Sequence, residues 1–462
     1  MSEPGHRTCS ERTCVLVAMA VVAVPLVVLG VLRVVLQFPQ GDEPHYLVIS
    51  QALQLYGSLD VAQVYAHGDY HAYYPLPLDP HLSPGPDGRP LPLHSIGGPL
   101  LWFLPFALWG RAGVVGFMTV VSLAIVANVY WLARELDVRQ RVAVGVAVAF
   151  GLGSPILMYA SLSFVEPLGA LVCVYALRVL QARTTRPRDL LLVSAALGAL
   201  PWIHSRFLLF PVVLGAFLVW RERRSPARLA CLLGPAAVLV GGLVLYNALV
   251  WHTFGLAPNQ VNAGAVPFTA DPWRPLLGIL LDQEVGVFPN FPVLLFVLPG
   301  LLLAWRTPLT WHVAAVVVPY VAVITSFPAW DGAWSPPARF LAVVLPMLAG
   351  HVALVWQRAG PRTLAVGGLL TAVGLGLTTL AVCSPTGGFT AQKGRSPALG
   401  VLDGMSGFDV ARLVPSLAQP GQVVLFAIWG ALVLGFGLLS VRGRRGPAMP
   451  AGPLPPRPGW SR

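Results

Sequence analysis

Charge is scarce in this chain. Only 11% of its 462 residues are charged and 56% are apolar, whereas a soluble globular protein carries roughly 25% charged residues. So little charge cannot cover a water-facing surface. Long polar stretches are also missing, which excludes a separate water-soluble domain. There is no P-loop or Gly-rich nucleotide fingerprint, so nothing points to a soluble nucleotide site. No internal repeat is visible, which counts against a transporter built from inverted halves. The cysteines (Cys9, Cys14, Cys173, Cys231 and Cys383) show no CxxC spacing and sit mostly in or beside apolar runs. That pattern points away from a zinc cluster or a disulfide framework.

Apolar runs of spanning length stand in place of these features. Segments 14–35, 229–250 and 422–441 are nearly free of charge. Runs of about 20 residues, rising about 1.5 Å per residue, cross a hydrocarbon core about 30 Å thick. They predict an all-α polytopic membrane protein. The net charge of +11 comes from Arg far more than Lys. It is concentrated in Arg183/Arg186/Arg188, Arg221/Arg223/Arg224/Arg228, Arg358/Arg362 and Arg442/Arg444/Arg445. Short basic clusters between apolar runs mark cytosolic loops, not a nucleic-acid groove. The first run is too long for a signal-peptide core and reads as a retained anchor. The preference for Arg, with abundant Ala, Gly and Pro, fits a GC-rich bacterial coding sequence and a place in the cell membrane.

Keeping the Arg clusters inside predicts spans near 14–36, 112–133, 142–160, 166–182, 189–205, 207–220, 228–251, 287–305, 308–327, 338–356, 363–383 and 420–441. That gives twelve crossings, within a range of eleven to thirteen, and both termini in the cytosol. Segment 96–109, short and interrupted by Pro99 and Pro105, reads as re-entrant or membrane-surface. The expected organisation is a cytosolic tail (1–13), one transmembrane unit (14–441) and a disordered cytosolic tail (442–462). The first outer loop is 37–94, and segments 252–286, 328–337 and 384–419 also lie outside. Any site must be built from these loops and the helix ends beneath them.

The first outer loop opens with Gly41-Asp42-Glu43-Pro44-His45-Tyr46. Apolar Tyr46, Ile49, Leu53 and Tyr56 then recur at helical spacing. They predict an amphipathic helix in the interface, with Pro44 in its first turn and Gly57 as its stop. The helix dipole favours ionised Asp42 and Glu43 by about 0.3–1 kcal/mol. The pair reads equally as a helix cap and as a general base. His45, Tyr73, Tyr74 and His94 are candidates for lining a substrate pocket. His67, Asp69 and His71 alternate, so an extended strand would align them as a divalent metal site. The simpler reading is a solvated loop with its tyrosines at headgroup level.

Charges recur where the later spans reach the outer face. Glu166 opens a span as a cap or as part of the pocket. Arg206 and His204 sit at the outer turn of a hairpin as candidates for binding the donor phosphate, unless Arg206 simply snorkels to the headgroups. Arg339 breaks the positive-inside trend at the outer start of a span. A cation at a helix N-terminus is unfavourable unless an anion binds there, so Arg339 is the first candidate for a phosphate contact and Arg206 the second. Trp330, Asp331 and Trp334 lie in the preceding loop, where the tryptophans stack on a sugar or anchor the interface. Asp282 and Glu284 form either a second acidic site or a partner for Arg339.

A span, an acidic pair opening an amphipathic helix (GDEPHYLVISQALQLYG) and a Pro/Gly-rich apolar segment (HSIGGPLLWFLPFALWG) together resemble the GT-C superfamily of membrane glycosyltransferases. The branch nearest in pattern contains the protein O-mannosyltransferases and the lipid A aminoarabinose transferase. The resemblance is clearest over residues 14–180. It implies a GT-C-like helical bundle and transfer of a sugar from a polyprenyl-phosphate carrier on the non-cytosolic face. The acceptor would be a glycan, lipid or protein hydroxyl. It also implies that Asp42 acts in acceptor activation, with Glu43 as its neighbour. The His and Pro after the acidic pair and the long Tyr/His-rich loop depart from that branch and leave donor sugar and acceptor open. The alternatives are a flippase for lipid-linked sugars and a surface-glycan polymerase or ligase.

Overall fold

The computed structural model describes residues 10–86, 88–264, 268 and 271–442. The proposed tails at 1–13 and 442–462 therefore lie almost wholly outside the described residues. Six helices are long and apolar enough to cross a membrane: Glu11–Leu36, Phe103–Glu135, Pro226–Val250, Pro308–Thr325, Pro361–Val382 and Val423–Ser440. Their outward faces carry Val238, Leu249 and Val423, all at least 70% exposed. Bare aliphatic faces of this size need lipid around them. Among the described residues the only named strands are Leu82–Pro84 and Pro90–Pro92, a small antiparallel hairpin. The chain is an all-α, multi-pass membrane protein.

The other expected spans differ from uniform rods. Helices Glu166–Gln181, Pro187–Ile203 and Leu209–Glu222 are shorter. Segment 142–160 breaks at Gly153-Ser154, where Ser154 Oγ caps the short helix Pro155–Tyr159. Segment 287–305 breaks at Phe291 into three short pieces. Segment 338–356 opens as two 3₁₀ turns, Phe340–Val343 and Leu345–Leu348, before the helix Ala349–Gln357. Pro292 and Pro346 sit at these breaks, and proline has no N–H for the helical ladder. The 96–109 run is no separate rod. It forms Gly97–Leu101 and the first part of Phe103–Glu135, which bends at Trp109 and Gly110.

Polar contacts sort the helix ends into two groups. At one end Glu11 accepts from Arg134 and Tyr130, Arg183 pairs with Asp137, and Glu222 binds Arg228 and Thr185. Arg183 and Arg228 belong to the basic clusters that the sequence groups together. At the other end Gln37 Nε2 donates to Val382 O, and Arg111 donates to Gln37 O. There the first helix gives way to the loop that carries Asp42.

The helix Glu43–Tyr56 forms as expected, with Pro44 in its first turn and Gly57 in the left-handed region as its stop. Its setting corrects the sequence expectation. Every residue from Glu43 to Ala52 is buried, including His45, Ser50 and Gln51, and of the polar residues only Gln54 stays exposed. Ala62–His67, the turn Asp69–Ala72, Gly97–Leu101 and the start of Phe103–Glu135 pack against the helix. Gly97 passes so close to the Trp202 backbone that a Cβ there would sit 2.5 Å from its carbonyl group.

Candidate active site

Gly41 holds φ at +58°, and a Cβ there would meet Trp334 O at 2.4 Å. Only glycine fits this turn, which fixes the start of the helix and the direction of Asp42. Asp42 precedes the helix but makes no side-chain cap. Its carboxylate instead takes Nη2 of Arg339. The alternative left open by the sequence, an ordinary cap, is thus removed.

Glu43 does something else. Its Oε1 accepts from Ser163 N at 3.0 Å and Ser163 Oγ at 3.2 Å, and its Oε2 accepts from Gln40 N at 3.1 Å. With 1% exposure it ties the loop to the Ser163 turn. This corrects the expectation that Glu43 shares the chemistry with Asp42.

Arg339 is the hub. Beyond Asp42, its Nε donates to Glu166 Oε1 at 3.0 Å and its Nη1 to Gly332 O at 3.0 Å. Its guanidinium lies 4.5 Å from the Phe164 ring centroid. The preceding residue, Ala338, holds φ at +56°, a strained geometry for a residue with a Cβ and one that clusters at functional sites. Arg206 reaches the same Glu166 Oε1 from the turn between Pro187–Ile203 and Leu209–Glu222. Glu166 is fully buried, and its Oε2 and Arg206 Nε have no hydrogen-bond partner. Two cations and two anions from four distant chain segments therefore form one neutral cluster, with two buried polar atoms left unpaired.

The histidines sit beside it. His81 Nδ1 and His94 Nε2 are 3.0 Å apart, and a carboxylate oxygen of Asp42 lies within 4.8 Å of both. His45 stacks on His81 at 3.5 Å between centroids, and its Nδ1 meets Tyr65 OH at 2.8 Å. His94 also lines a small cleft bounded by Trp202, Tyr246 and Asn247. Burial pushes His45 down to about 2 and His94 down to about 4, so both rings are neutral at pH 7. For Asp42, burial acts upward, but the Arg339 charge and hydrogen bond outweigh it and hold the carboxyl well below the usual range.

Other expected site residues lie elsewhere or serve the frame. His204 Nδ1 accepts from Arg206 N at 3.2 Å, so this atom shapes the turn and is not a phosphate donor. Tyr73 packs on Phe106 and leaves its hydroxyl buried without a partner, while Tyr74 packs on Phe38. Trp330 lies against the Gly278 backbone. Asp331 Oδ1 accepts from Ala333 N at 3.0 Å, a local turn.

Two expectations are overturned. Asp282 and Glu284 do not hold Arg339. Asp282 accepts from Glu284 N, Val285 N and Leu417 N. Glu284 accepts from Thr390 Oγ1, Lys393 N and Gly394 N. Together they clasp the 384–419 segment. Burial, outweighing these N–H groups, pushes Asp282 up to about 6. The His67/Asp69/His71 metal site fails because no strand forms there. The segment is a helix, Ala62–His67, followed by a 3₁₀ turn. His67 Nδ1 and Asp69 Oδ2 both go to Tyr56 OH, and His71 Nδ1 to Tyr74 O.

Sequence reasoning missed His81. The signal was present in Ser-Pro-Gly-Pro-Asp-Gly, a run of turn formers flanked by His81 and His94, which predicts a hairpin that brings the two together. It also missed Phe164 and the buried Arg33, whose Nη2 donates to Gly387 O at 2.9 Å.

No known family model matches the chain, and no curated protein is similar to it in sequence. Among solved structures, ArnT from Cupriavidus metallidurans bound to undecaprenyl phosphate superposes with a TM-score of 0.51 at 15% identity, over 91% of this chain and 76% of that one. The apo state of the same protein gives 0.52 at 16% identity over the same shares. The archaeal oligosaccharyltransferase AglB from Archaeoglobus fulgidus gives 0.47 at 13% identity, over 97% of this chain and 61% of that one. With its helical bundle, its covered first-loop helix and this likeness in shape, the chain has a GT-C-like fold.

Proposed function

We propose that the protein is an inverting glycosyltransferase that moves a sugar from a polyprenyl-phosphate carrier to an acceptor hydroxyl on the extracytoplasmic face of the cell membrane. The observation that carries this reading is the contact of Asp42 with Arg339, which shares Glu166 with Arg206. A carboxylate for the proton and two guanidinium groups for a phosphate thus meet at the helix ends opposite the basic clusters. The solved ArnT structure, described as bound to undecaprenyl phosphate, supports a lipid-phosphate donor.

The donor phosphate competes with Asp42 for the fork of Arg339, since guanidinium binds phosphate oxygens in pairs. Once released, Asp42 accepts the proton of the acceptor hydroxyl as that oxygen forms its bond to the anomeric carbon. The bond from that carbon to the phosphate oxygen breaks, and Arg339 with Arg206 holds the extra negative charge on the leaving phosphate.

The test supplies membranes carrying the wild type or Asp42→Asn with labelled polyprenyl-phosphate sugars. Loss of transfer by a normally folded Asp42→Asn protein supports the reading. Unchanged transfer overturns Asp42 as the base, and movement of labelled carrier across liposomes without transfer would favour a flippase.

A further inference from the structure

We propose that the loops 183–188 and 221–228, at the helix ends opposite Asp42, together form a binding site for one anionic membrane phospholipid with two headgroup phosphates. Seven arginines lie in these two loops. Three of them hold the frame. Arg183 pairs with Asp137. Arg221 donates to the carbonyls of Val179, Leu180 and Ala182, where the helix Glu166–Gln181 ends. Arg228 binds Glu222 and Thr185. The other four are left over. Arg186, Arg223 and Arg224 are exposed and pair with no carboxylate among the described residues. Arg188 reaches Asp189 only at 3.7 Å and its side chain stays 70% exposed.

The fold gathers these four cations. Thr185 Oγ1 donates to Glu222 Oε1 at 3.1 Å, and Arg228 Nη1 donates to Thr185 O at 3.1 Å. Arg186 follows Thr185 and Arg223 follows Glu222, so this clamp sets the two free arginines beside each other. Helices Pro187–Ile203 and Pro226–Val250 begin at these loops and pack side by side. The second begins without a side-chain cap, and its N-terminal N–H groups add to the positive field. A topological bias alone requires arginines on this side of the membrane, not their convergence. Each loop supplies one pair, Arg186 with Arg188 and Arg223 with Arg224. Guanidinium groups bind phosphate oxygens in bidentate fashion, so two pairs suit two phosphates.

The surroundings select a lipid as the carrier of those phosphates. The Arg223 guanidinium lies 3.9 Å from the ring centroid of Trp220, which is 67% exposed. Exposed tryptophan is enriched at the depth of the headgroups. Leu192 and Leu233, in the first turns of the two packed helices, are 59% and 51% exposed. An acyl chain can therefore lie directly beside the arginines. Basic pockets between spanning helices at this level bind the headgroups of multiply charged lipids.

The inference is independent of the chemistry at Asp42. The full chain, purified in a neutral detergent, is mixed with cardiolipin, phosphatidylglycerol or phosphatidylcholine. Retained lipid is read by native mass spectrometry and stability by thermal melting. One cardiolipin per chain and a raised melting temperature are expected, with a smaller effect from phosphatidylglycerol and none from phosphatidylcholine. Each arginine removed should weaken retention about fivefold, and Arg186→Gln/Arg223→Gln/Arg224→Gln roughly 100-fold. These side chains are exposed, so the lipid-free melt of the triple variant should match the wild type and certify its folding. Arg358→Gln/Arg362→Gln, in a different basic loop, should retain cardiolipin as the wild type does. Equal retention of cardiolipin and phosphatidylcholine, or wild-type retention by the triple variant, overturns the proposal. Equal losses in the two multiple variants would reduce the effect to a general attraction and remove the site. Displacement of cardiolipin by an equal concentration of pyrophosphate would make it a site for soluble anions and overturn the lipid.

Discussion

Arg339 donates to Asp42 although 297 residues separate them in the chain. The Arg339 side chain is 8% exposed and that of Asp42 24%, so the contact lies at the edge of the protein interior. A guanidinium that holds both Asp42 and the buried Glu166 is already arranged for a bidentate anion.

Arg339→Lys separates geometry from charge. A lysine keeps the positive charge but replaces the planar fork with a point charge. A hydrogen bond to a charged group contributes about 1.5–3 kcal/mol. Donor kcat/KM should therefore fall roughly 10- to 100-fold, with little change in the acceptor KM. Wild-type donor kinetics would remove Arg339 from phosphate binding.

Glu166→Gln should act on stability first. Glu166 is fully buried and shared by Arg206 and Arg339. Removing one member of a buried ion pair typically costs about 3–5 kcal/mol, because the partner charge is left uncompensated. Thermal unfolding in detergent should shift down clearly, and an unshifted melt would show that Asp42 alone satisfies the cluster.

Gly41 and Gly57 make a matched pair. Both lie in the left-handed region, at φ +58° and +59°, but a Cβ at Gly41 meets Trp334 O at 2.4 Å while nothing lies within 4 Å of one at Gly57. Gly57→Ala should carry only the left-handed penalty of about 1–2 kcal/mol and keep its activity. Gly41→Ala should also displace Asp42 and abolish transfer. Equal behaviour of the two in melting and transfer assays would contradict the close approach at Gly41.

The Asp282–Glu284 clasp gives a proteolysis and a pH prediction. In Glu284→Gln an amide donor would face the Lys393 or Gly394 N–H, and an unmet buried donor costs about 1–3 kcal/mol. Trypsin should cut the variant at Lys393 and Arg395 faster than the wild type, and equal cutting would remove the clasp. Asp282 binds its proton more tightly in the folded state, with its carboxyl pushed up to about 6 from an ordinary value of about 3.9. Its contribution is complete below about pH 4 and is lost as pH rises through about 6. Melting temperature should fall over that window, and Asp282→Asn should flatten that fall.

Most of the architecture was legible because it rests on local signals. Runs of apolar residues at spanning length gave the long helices. Tyr46, Ile49, Leu53 and Tyr56 gave the first-loop helix, and Gly57 its end. Arg339 was legible as a charge out of place. Its partners were not, since Glu166 lies 173 residues away and Asp42 297. The near-total burial of the first-loop helix was also hidden, because amphipathic spacing does not report what later segments lay over the polar face. The His67/Asp69/His71 expectation failed because it assumed a strand where the helix stopped by Gly68 runs into a 3₁₀ turn.

By itself, then, the sequence determined that this is a helical membrane protein, where its first-loop helix begins and ends, and that its odd charges gather at one set of helix ends. Hydrophobic length and helical spacing are properties of neighbouring residues and can be read along the chain. Only the tertiary structure decided that Asp42 faces Arg339, that Glu43 turns to the Ser163 turn, and that His81 meets His94 at the base of a hairpin. Those outcomes depend on distances of a few ångströms between remote segments, where Coulomb attraction and hydrogen bonding act only once the fold has closed.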